Sequence, residues 1–276
     1  MSKFAPKGVT NVRDGHIHTP FCPHGSDDAL HEYIERAISL GYTDISFTEH
    51  APLPKGFIDP TPYQDSAMKE EQLASYVSIL QSLKKQYERH IRIRIGLEVD
   101  FILGYEQKTK EFLNEIGPQL DDSILSVHFL HVDDQYMCID YSEDMFGDIV
   151  TSFGCIERVY DAYYRTVLAS VVADLGVHKP KRIGHITLVR KFHRAYPCEY
   201  DATNIIAHIL DEMKNRQLEL DYNGAGAVKP LCLEPYPPHW VVKEAVKRGI
   251  PLVYGSDAHS VAGLHQGIEH MLMYKE

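Results

Sequence analysis

Apolar positions along the chain switch between two periods. From Leu30, the set Leu30, Tyr33, Ile34, Ala37 and Ile38 follows an i, i+3, i+4 stripe that ends at Gly41, where a left-handed cap belongs, and it predicts a helix. The stripe recurs at Leu73, Tyr76, Val77, Leu80 and Leu83, then from Ile156 through Val172 and from Ala202 through Met213. It returns briefly at Val241, Val242, Ala245 and Val246. Between these helices lie short β-rich runs, 9–16, 43–48, 91–99, 123–129, 182–187, 218–222 and 250–255, which read as strands. Repeated strand–helix alternation predicts an α/β fold with parallel strands and right-handed crossovers. We read it as a seven-stranded relative of the (β/α)8 barrel, forming one domain over residues 1–276.

Connections from a helix into the next strand are short, whereas those leaving a strand at 51–66, 130–154 and 223–238 exceed the usual loop of a compact domain. Function is therefore expected on the side where strands end. The loop over 130–154 carries six aspartates and glutamates and reads as a solvated acidic flap. The basic run Lys179-Pro180-Lys181-Arg182 reads as a solvated turn that needs no ligand.

Composition narrows the class of partner. The 276 residues carry a net charge of −11, which repels a phosphate backbone and argues against nucleic acid. No uncharged apolar run approaches the about 18 residues of a membrane span, and residues 1–14 lack the apolar core of a secretory signal. Five dispersed cysteines without a C-x-x-C pair encode neither a disulfide framework nor a zinc ribbon. The expectation is a cytoplasmic protein, monomeric or homodimeric, that acts on a small molecule.

The unusual count is 16 histidines. At or just past the ends of the predicted strands stand His16-Ile17-His18, then Glu49-His50, Glu98, His128, His185 and Asp257-Ala258-His259. Parallel strands of a barrel bring such ends to one face, so six of seven strands deliver a metal-ligand residue type to the same level. His16 and His18, two apart, share one face of a strand and suit joint ligation, and His24 joins from the rim. A lone strand-end histidine is more often structural, and the histidines away from strand ends are read that way, except His131, which lies near the long fourth loop and is left open between the two readings.

Several stretches resemble a known family. Asp14-Gly15-His16-Ile17-His18, Phe47-Thr48-Glu49-His50, Gly96-Leu97-Glu98-Val99-Asp100, Ser126-Val127-His128, Gly184-His185 and Gly255-Ser256-Asp257-Ala258-His259 are similar to the successive motifs of the PHP (polymerase and histidinol phosphatase) family. The longer segments 19–25, 51–57 and 181–192 resemble its histidinol-phosphate phosphatase branch. Gly15 departs from the family pattern, in which many members carry a larger residue there. The resemblance implies a distorted (β/α)7 barrel, TIM-barrel-like, with three divalent ions of zinc, iron or manganese. It implies His16, His18, Glu98 and Asp257 for the first ion, Glu98, His128 and His185 for the second with Glu98 bridging, and His24, His50 and His259 for the third.

Three divalent ions would bring six positive charges against two negative ones from Glu98 and Asp257, leaving about +4 for hydroxide and an anionic ligand. A phosphate monoester fits, with metal-bridging hydroxide attacking phosphorus. The substrate implied by the resemblance is L-histidinol phosphate, hydrolysed in histidine biosynthesis. Arg190 is the expected guanidinium fork for the phosphate. Glu49 is expected to protonate the leaving oxygen, orient His50 or pair with a substrate amine. The competing readings are a phosphatase or phosphodiesterase for another ester, and a non-catalytic metal or phosphometabolite binder.

Overall fold

The computed structural model describes residues 13–272. In chain order the strands are β1 (Arg13–Ile17), β2 (Asp44–His50), β3 (Arg92–Asp100), β4 (Ile124–Ser126), β5 (Phe129–Val132), β6 (Gln135–Cys138), β7 (Arg182–Ile183), β8 (Glu219–Asn223) and β9 (Leu252–Gly255). The helices are α1 (Leu30–Ser39), α2 (Leu73–Gln86), α3 (Glu106–Ile116), α4 (Glu143–Phe153), α5 (Ile156–Val172), α6 (Thr203–Asn215), α7 (Ala225–Val228) and α8 (His239–Lys247). Apart from the antiparallel hairpin β5–β6, the strands form one parallel sheet in the order β1-β2-β3-β4-β7-β8-β9. Its edges meet, since His18 N–H donates to the Ala258 carbonyl at 3.0 Å and Asp257 N–H to the His16 carbonyl at 2.8 Å. The sheet thereby curls into the distorted (β/α)7 barrel the sequence leads one to expect. No helix among the described residues is long and apolar enough to cross a membrane.

Strand boundaries shift where polar chemistry intervenes. Of the strand expected over 9–16, residues 9–12 lie outside the described residues. The strand expected over 123–129 leaves the sheet after Ser126, and Phe129 starts the hairpin instead. That expected over 182–187 shrinks to Arg182–Ile183. Gly184 N–H still donates to the Leu125 carbonyl at 2.9 Å, after which the chain turns and the His185 carbonyl accepts Leu188 N–H at 2.8 Å.

The segment 130–154 is not a solvated flap. It holds the hairpin and then α4, which Ser142 caps by accepting Met145 N–H at 3.1 Å and Gly154 ends at φ 81°. Phe57 from the β2–α2 connection packs edge-on to Phe129 and Tyr136 with ring centroids 5.1 and 5.0 Å away, tying that connection to the hairpin above the barrel.

The barrel interior is polar at both ends. In β3, Ile93, Ile95, Leu97 and Val99 enter the apolar core between sheet and helices, so period two turns Arg94, Glu98 and Asp100 to the other face. At the N-terminal end Arg94 grips Asp44 through two nitrogens, Nε to Oδ1 at 2.8 Å and Nη2 to Oδ2 at 2.7 Å. Arg182, fully buried, donates to Asp122 and to the Gly15 carbonyl, both at 2.7 Å, and Asp122 also receives Arg13. A Cβ on Gly15 would lie 2.2 Å from Arg182 Nη1. Arg182 therefore fills the space that a side chain at position 15 would need.

The run 179–182 is correspondingly not a solvated turn. Lys179 Nζ donates to the carbonyls of Ser170, Val171 and Ala173 at 2.8, 2.7 and 2.9 Å, closing the C-terminus of α5, where a cation also meets the favourable end of the helix dipole. Lys179→Met is expected to cost about 1–3 kcal/mol of stability, read as a lower midpoint in chemical denaturation. A midpoint unchanged from that of the parent chain would show the cap to be dispensable.

Candidate metal centre

The expected residues converge. His16 lies in β1 and His18 just beyond it, His50 ends β2, Glu98 is near the end of β3, His128 and His185 lie two residues past β4 and β7, and Asp257 and His259 follow β9. His16 and His18 are fully buried, and Glu98, His185, His50 and His128 are nearly so. Gly255 makes room for this packing, because a Cβ there would sit 2.5 Å from that of His16. Asp257 holds φ 54°, a left-handed conformation uncommon outside glycine that places its carboxylate beside His18.

Glu98 is the hub. Its Oε1 accepts from Ser126 Oγ at 2.6 Å and lies 2.9 Å from His185 Nε2 and 3.8 Å from His128 Nε2. Its Oε2 lies 3.3 Å from His16 Nε2, 3.5 Å from His18 Nε2 and 3.2 Å from His50 Nδ1. Asp257 Oδ1 approaches His18 Nε2 at 3.1 Å and His16 Nε2 at 3.7 Å. Besides His193, Cys232 and Glu234, which share no residue with the others, donor atoms among the described residues close enough to share one ion fall into the groups His16, His18 and Asp257, then Glu98, His128 and His185, then His18, Cys22, His50 and His259. The last group offers Cys22 where the sequence suggested His24. Burial raises the Cys22 thiol pKa, which disfavours the thiolate a metal requires. The His24 ring lies beside both partners, its centroid 5.3 Å from that of His50 and 5.0 Å from that of His259.

Behind the hub stand carboxylates and carbonyls that fix the rings. His16 Nδ1 lies 3.0 Å from Asp221 Oδ2, His18 Nδ1 3.1 Å from Glu49 Oε1, and His128 Nδ1 2.7 Å from Asp100 Oδ1. His24 Nδ1 meets the Asp65 carbonyl at 2.9 Å and His259 Nδ1 the Asp257 carbonyl at 3.1 Å. A carbonyl or carboxylate oxygen only accepts, so each Nδ1 carries a proton and the neutral form of each ring has its lone pair on Nε2. The buried Nε2 atoms of His16, His18 and His259 make no hydrogen bond of their own. Ring nitrogens turned toward one another and toward two carboxylates, with the rings of His16, His18, His24, His128 and His259 held from behind, are a donor set that fits divalent cations.

The charges reinforce this reading. Burial alone would lower the His18 pKa, but Asp257 and Glu49 outweigh it and raise it to about 9. Against the same burial, Asp100 and Glu98 raise His128 to about 10. His259 is pushed down to about 3 by burial and by the nearby His18. Burial would raise the Glu98 pKa, yet His16 and His128 bring it well below the usual carboxylate range.

The centre opens into a cavity of about 360 Å³ whose wall includes Lys191, Lys229, Tyr236 and Gln266. Arg190 is not part of that wall. Its Nε pairs with Glu234, and the neighbouring residue Lys191 lines the cavity instead. Glu49 is fully buried and touches His18, the Thr19 N–H at 2.8 Å and the His50 N–H at 2.9 Å, so it acts on ring positions and is no part of the cavity wall. Sequence reasoning missed Asp221 and Lys191, and it assigned no role to Asp100. For Asp100 a signal existed, since it stands two residues past Glu98 on the same strand face.

Comparison with known proteins agrees with the geometry. A sequence model of the PHP domain matches residues 14–225. The histidinol-phosphatase of Bacillus subtilis is 47% identical over 262 residues, covering 94% of this chain and 98% of that protein. A solved structure of a candidate histidinol phosphatase from Listeria monocytogenes is 40% identical with a TM-score of 0.88, covering 93% of this chain and 98% of that one. The histidinol phosphate phosphatase of Lactococcus lactis, solved with zinc, L-histidinol and phosphate, shares the fold at 19% identity and a TM-score of 0.69, covering 96% of this chain and 94% of that one.

Proposed function

Because the chain belongs to the PHP domain family, we infer that it is a histidinol-phosphatase, hydrolysing L-histidinol phosphate to L-histidinol and phosphate in histidine biosynthesis. The observation that carries this reading is the convergence of five imidazoles on the two oxygens of Glu98 at the mouth of a cavity sized for a small ester. We assign His16, His18, Glu98 and Asp257 to one ion, Glu98, His128 and His185 to a second, and His24, His50 and His259 to a third, with zinc the first candidate. Divalent ions held there polarise the phosphoryl oxygens and lower the pKa of water.

The chain's own residues supply the remainder. Ser126 holds Glu98 Oε1, so the carboxylate presents one oxygen to each side of the centre. Asp221, Glu49 and Asp100 keep His16, His18 and His128 in the ligating tautomer. Lys191, fixed by the Asp140 carbonyl at 2.6 Å and its carboxylate at 3.0 Å, brings positive charge to the wall, and Lys229 adds a second ammonium at the rim. Both attract a dianionic phosphate and stabilise charge gathering on its oxygens.

Elemental analysis of the purified protein, paired with phosphate release across a panel of small phosphomonoesters, tests stoichiometry and substrate class together. Histidinol phosphate is expected to be the best substrate, and a fully loaded protein that spares it while cleaving another ester well would overturn the reading. Proton release offers an independent check. Protons stay on His18 up to about pH 9 and on His128 up to about pH 10, so a cation must displace both at neutral pH. Metal uptake at about pH 7.5 is therefore expected to acidify a weakly buffered solution, and affinity to fall as pH falls. Uptake without proton release would place the metal elsewhere.

A further inference from the structure

The metal cavity has a neighbour of about 420 Å³, and the two share His24, His50, His128, Asp140 and Lys191. A molecule whose phosphate rests at the centre therefore has a second compartment within reach. The rest of its wall comes from the β2–α2 connection through Thr61, Asp65 and Ser66, from the hairpin through Phe129 and Cys138, and from Asp100 and Tyr141. Three aspartates line this compartment, and their carboxylates differ in what already satisfies them. Asp100 is taken by His128 Nδ1 at 2.7 Å and Asp140 by Lys191 Nζ at 3.0 Å. Asp65 receives only the Thr61 hydroxyl, at 3.2 Å on Oδ1, and no cationic side chain among the described residues lies within ion-pair distance of it.

Asp65 is nevertheless held in place. Its own N–H donates to Thr61 Oγ1 at 3.2 Å, and its carbonyl accepts from His24 Nδ1 at 2.9 Å, which ties it to the metal cavity. Asp59 braces the same connection by accepting the N–H groups of Thr61 at 2.9 Å and Ser66 at 3.0 Å. A fixed carboxylate without a counter-ion, beside a reaction cavity, is set to receive a cation that arrives with the substrate.

Resting on the histidinol-phosphatase reading, we propose that Asp65 is a specificity-determining residue whose carboxylate receives the ammonium group of the substrate. Histidinol phosphate carries that ammonium on the second carbon from the ester oxygen and its imidazole one carbon beyond. The second compartment, which adjoins the metal cavity, offers both chemistries that this molecule needs beyond its phosphate, a carboxylate at Asp65 for the ammonium and the aromatic side chains of Phe129 and Tyr141 for the ring.

Asp65→Asn keeps the size of the side chain and the acceptor for Thr61 while removing the charge. In metal-loaded protein it is expected to raise KM for histidinol phosphate about tenfold, and to weaken product inhibition by L-histidinol to a similar degree. Hydrolysis of p-nitrophenyl phosphate, which has no ammonium, should stay within about twofold, and Asp65→Glu should restore part of the discrimination. An equal loss on both esters, or no change on either, overturns the assignment while leaving the phosphatase reading intact. A wild-type protein that cleaves the nitrophenyl ester and ignores histidinol phosphate overturns both.

Discussion

Glu98→Gln is expected to lower kcat/KM for histidinol phosphate by at least about a thousandfold, because several kcal/mol of metal-derived charge stabilisation depend on one carboxylate and each 1.36 kcal/mol is about tenfold. The substitution is nearly isosteric, and the introduced amide can still accept from Ser126. It cannot present an acceptor to both donor groups. Glu98 presents Oε1 to His185 and His128 and Oε2 to His16, His18 and His50, each oxygen with lone pairs to give. An amide offers lone pairs on one side only, so whichever way it is turned an NH2 group faces imidazoles where a ligand stood. It also removes a full negative charge from a site that must offset several positive ones. Elemental analysis should show fewer ions per chain, while the circular dichroism spectrum stays that of the parent because β3 keeps its register through Gly96, Leu97 and Val99. A variant that retains metal and more than about a tenth of its activity would remove Glu98 from the centre of the mechanism.

The candidate ligands were legible in the sequence because a barrel turns position along the chain into position in space. Once seven strands are identified, the residue types at the strand ends are the groups that meet at one face, and His16, Glu98, His185 and Asp257 could be named without coordinates. What was hidden depends on register or on competition between neighbours. Asp221 sits inside β8, and only the pairing of Asp221 with Val253 and the closure of β9 against β1 bring it behind His16. Arg190 and Lys191 are adjacent, and sequence offered no means of deciding which faces the cavity. The structure decides it, since Glu234 takes Arg190 and Asp140 holds Lys191. Helix α3 went unread because its buried face is sparse, with Thr109, Leu113 and Ile116 the buried positions among charged neighbours. Helix α4 was obscured by its acidic residues and by Gly147, where a Cβ would meet the Tyr196 hydroxyl at 2.6 Å, although Ser142 and Gly154 mark its two ends.

Asp221→Asn and Asp100→Asn should each reduce metal affinity or activity by about 10–100-fold, the usual scale for residues that orient a ligating imidazole, although neither donates to an ion. Asp221 is fully buried, with Oδ2 3.0 Å from His16 Nδ1 and 3.4 Å from Asn223 Nδ2. An amide in its place can still accept from His16, but it loses the charge that makes the ring a better donor. In the other rotamer it presents NH2 to Nδ1, which reverses the tautomer and takes the lone pair away from the ion. Asp100 stands in the same relation to His128 at 2.7 Å, on the opposite side of Glu98. The two substitutions thus weaken different donor groups that meet at the Glu98 carboxylate. If that carboxylate couples the groups, the double variant should lose more than the product of the single losses, because an ion missing on one side leaves Glu98 free to turn toward the other. Independent multiplication of the two losses would argue for ions that bind separately. Full activity in either single variant would mean that the ring orientation is set by packing alone, with Asp221 or Asp100 contributing only to the fold.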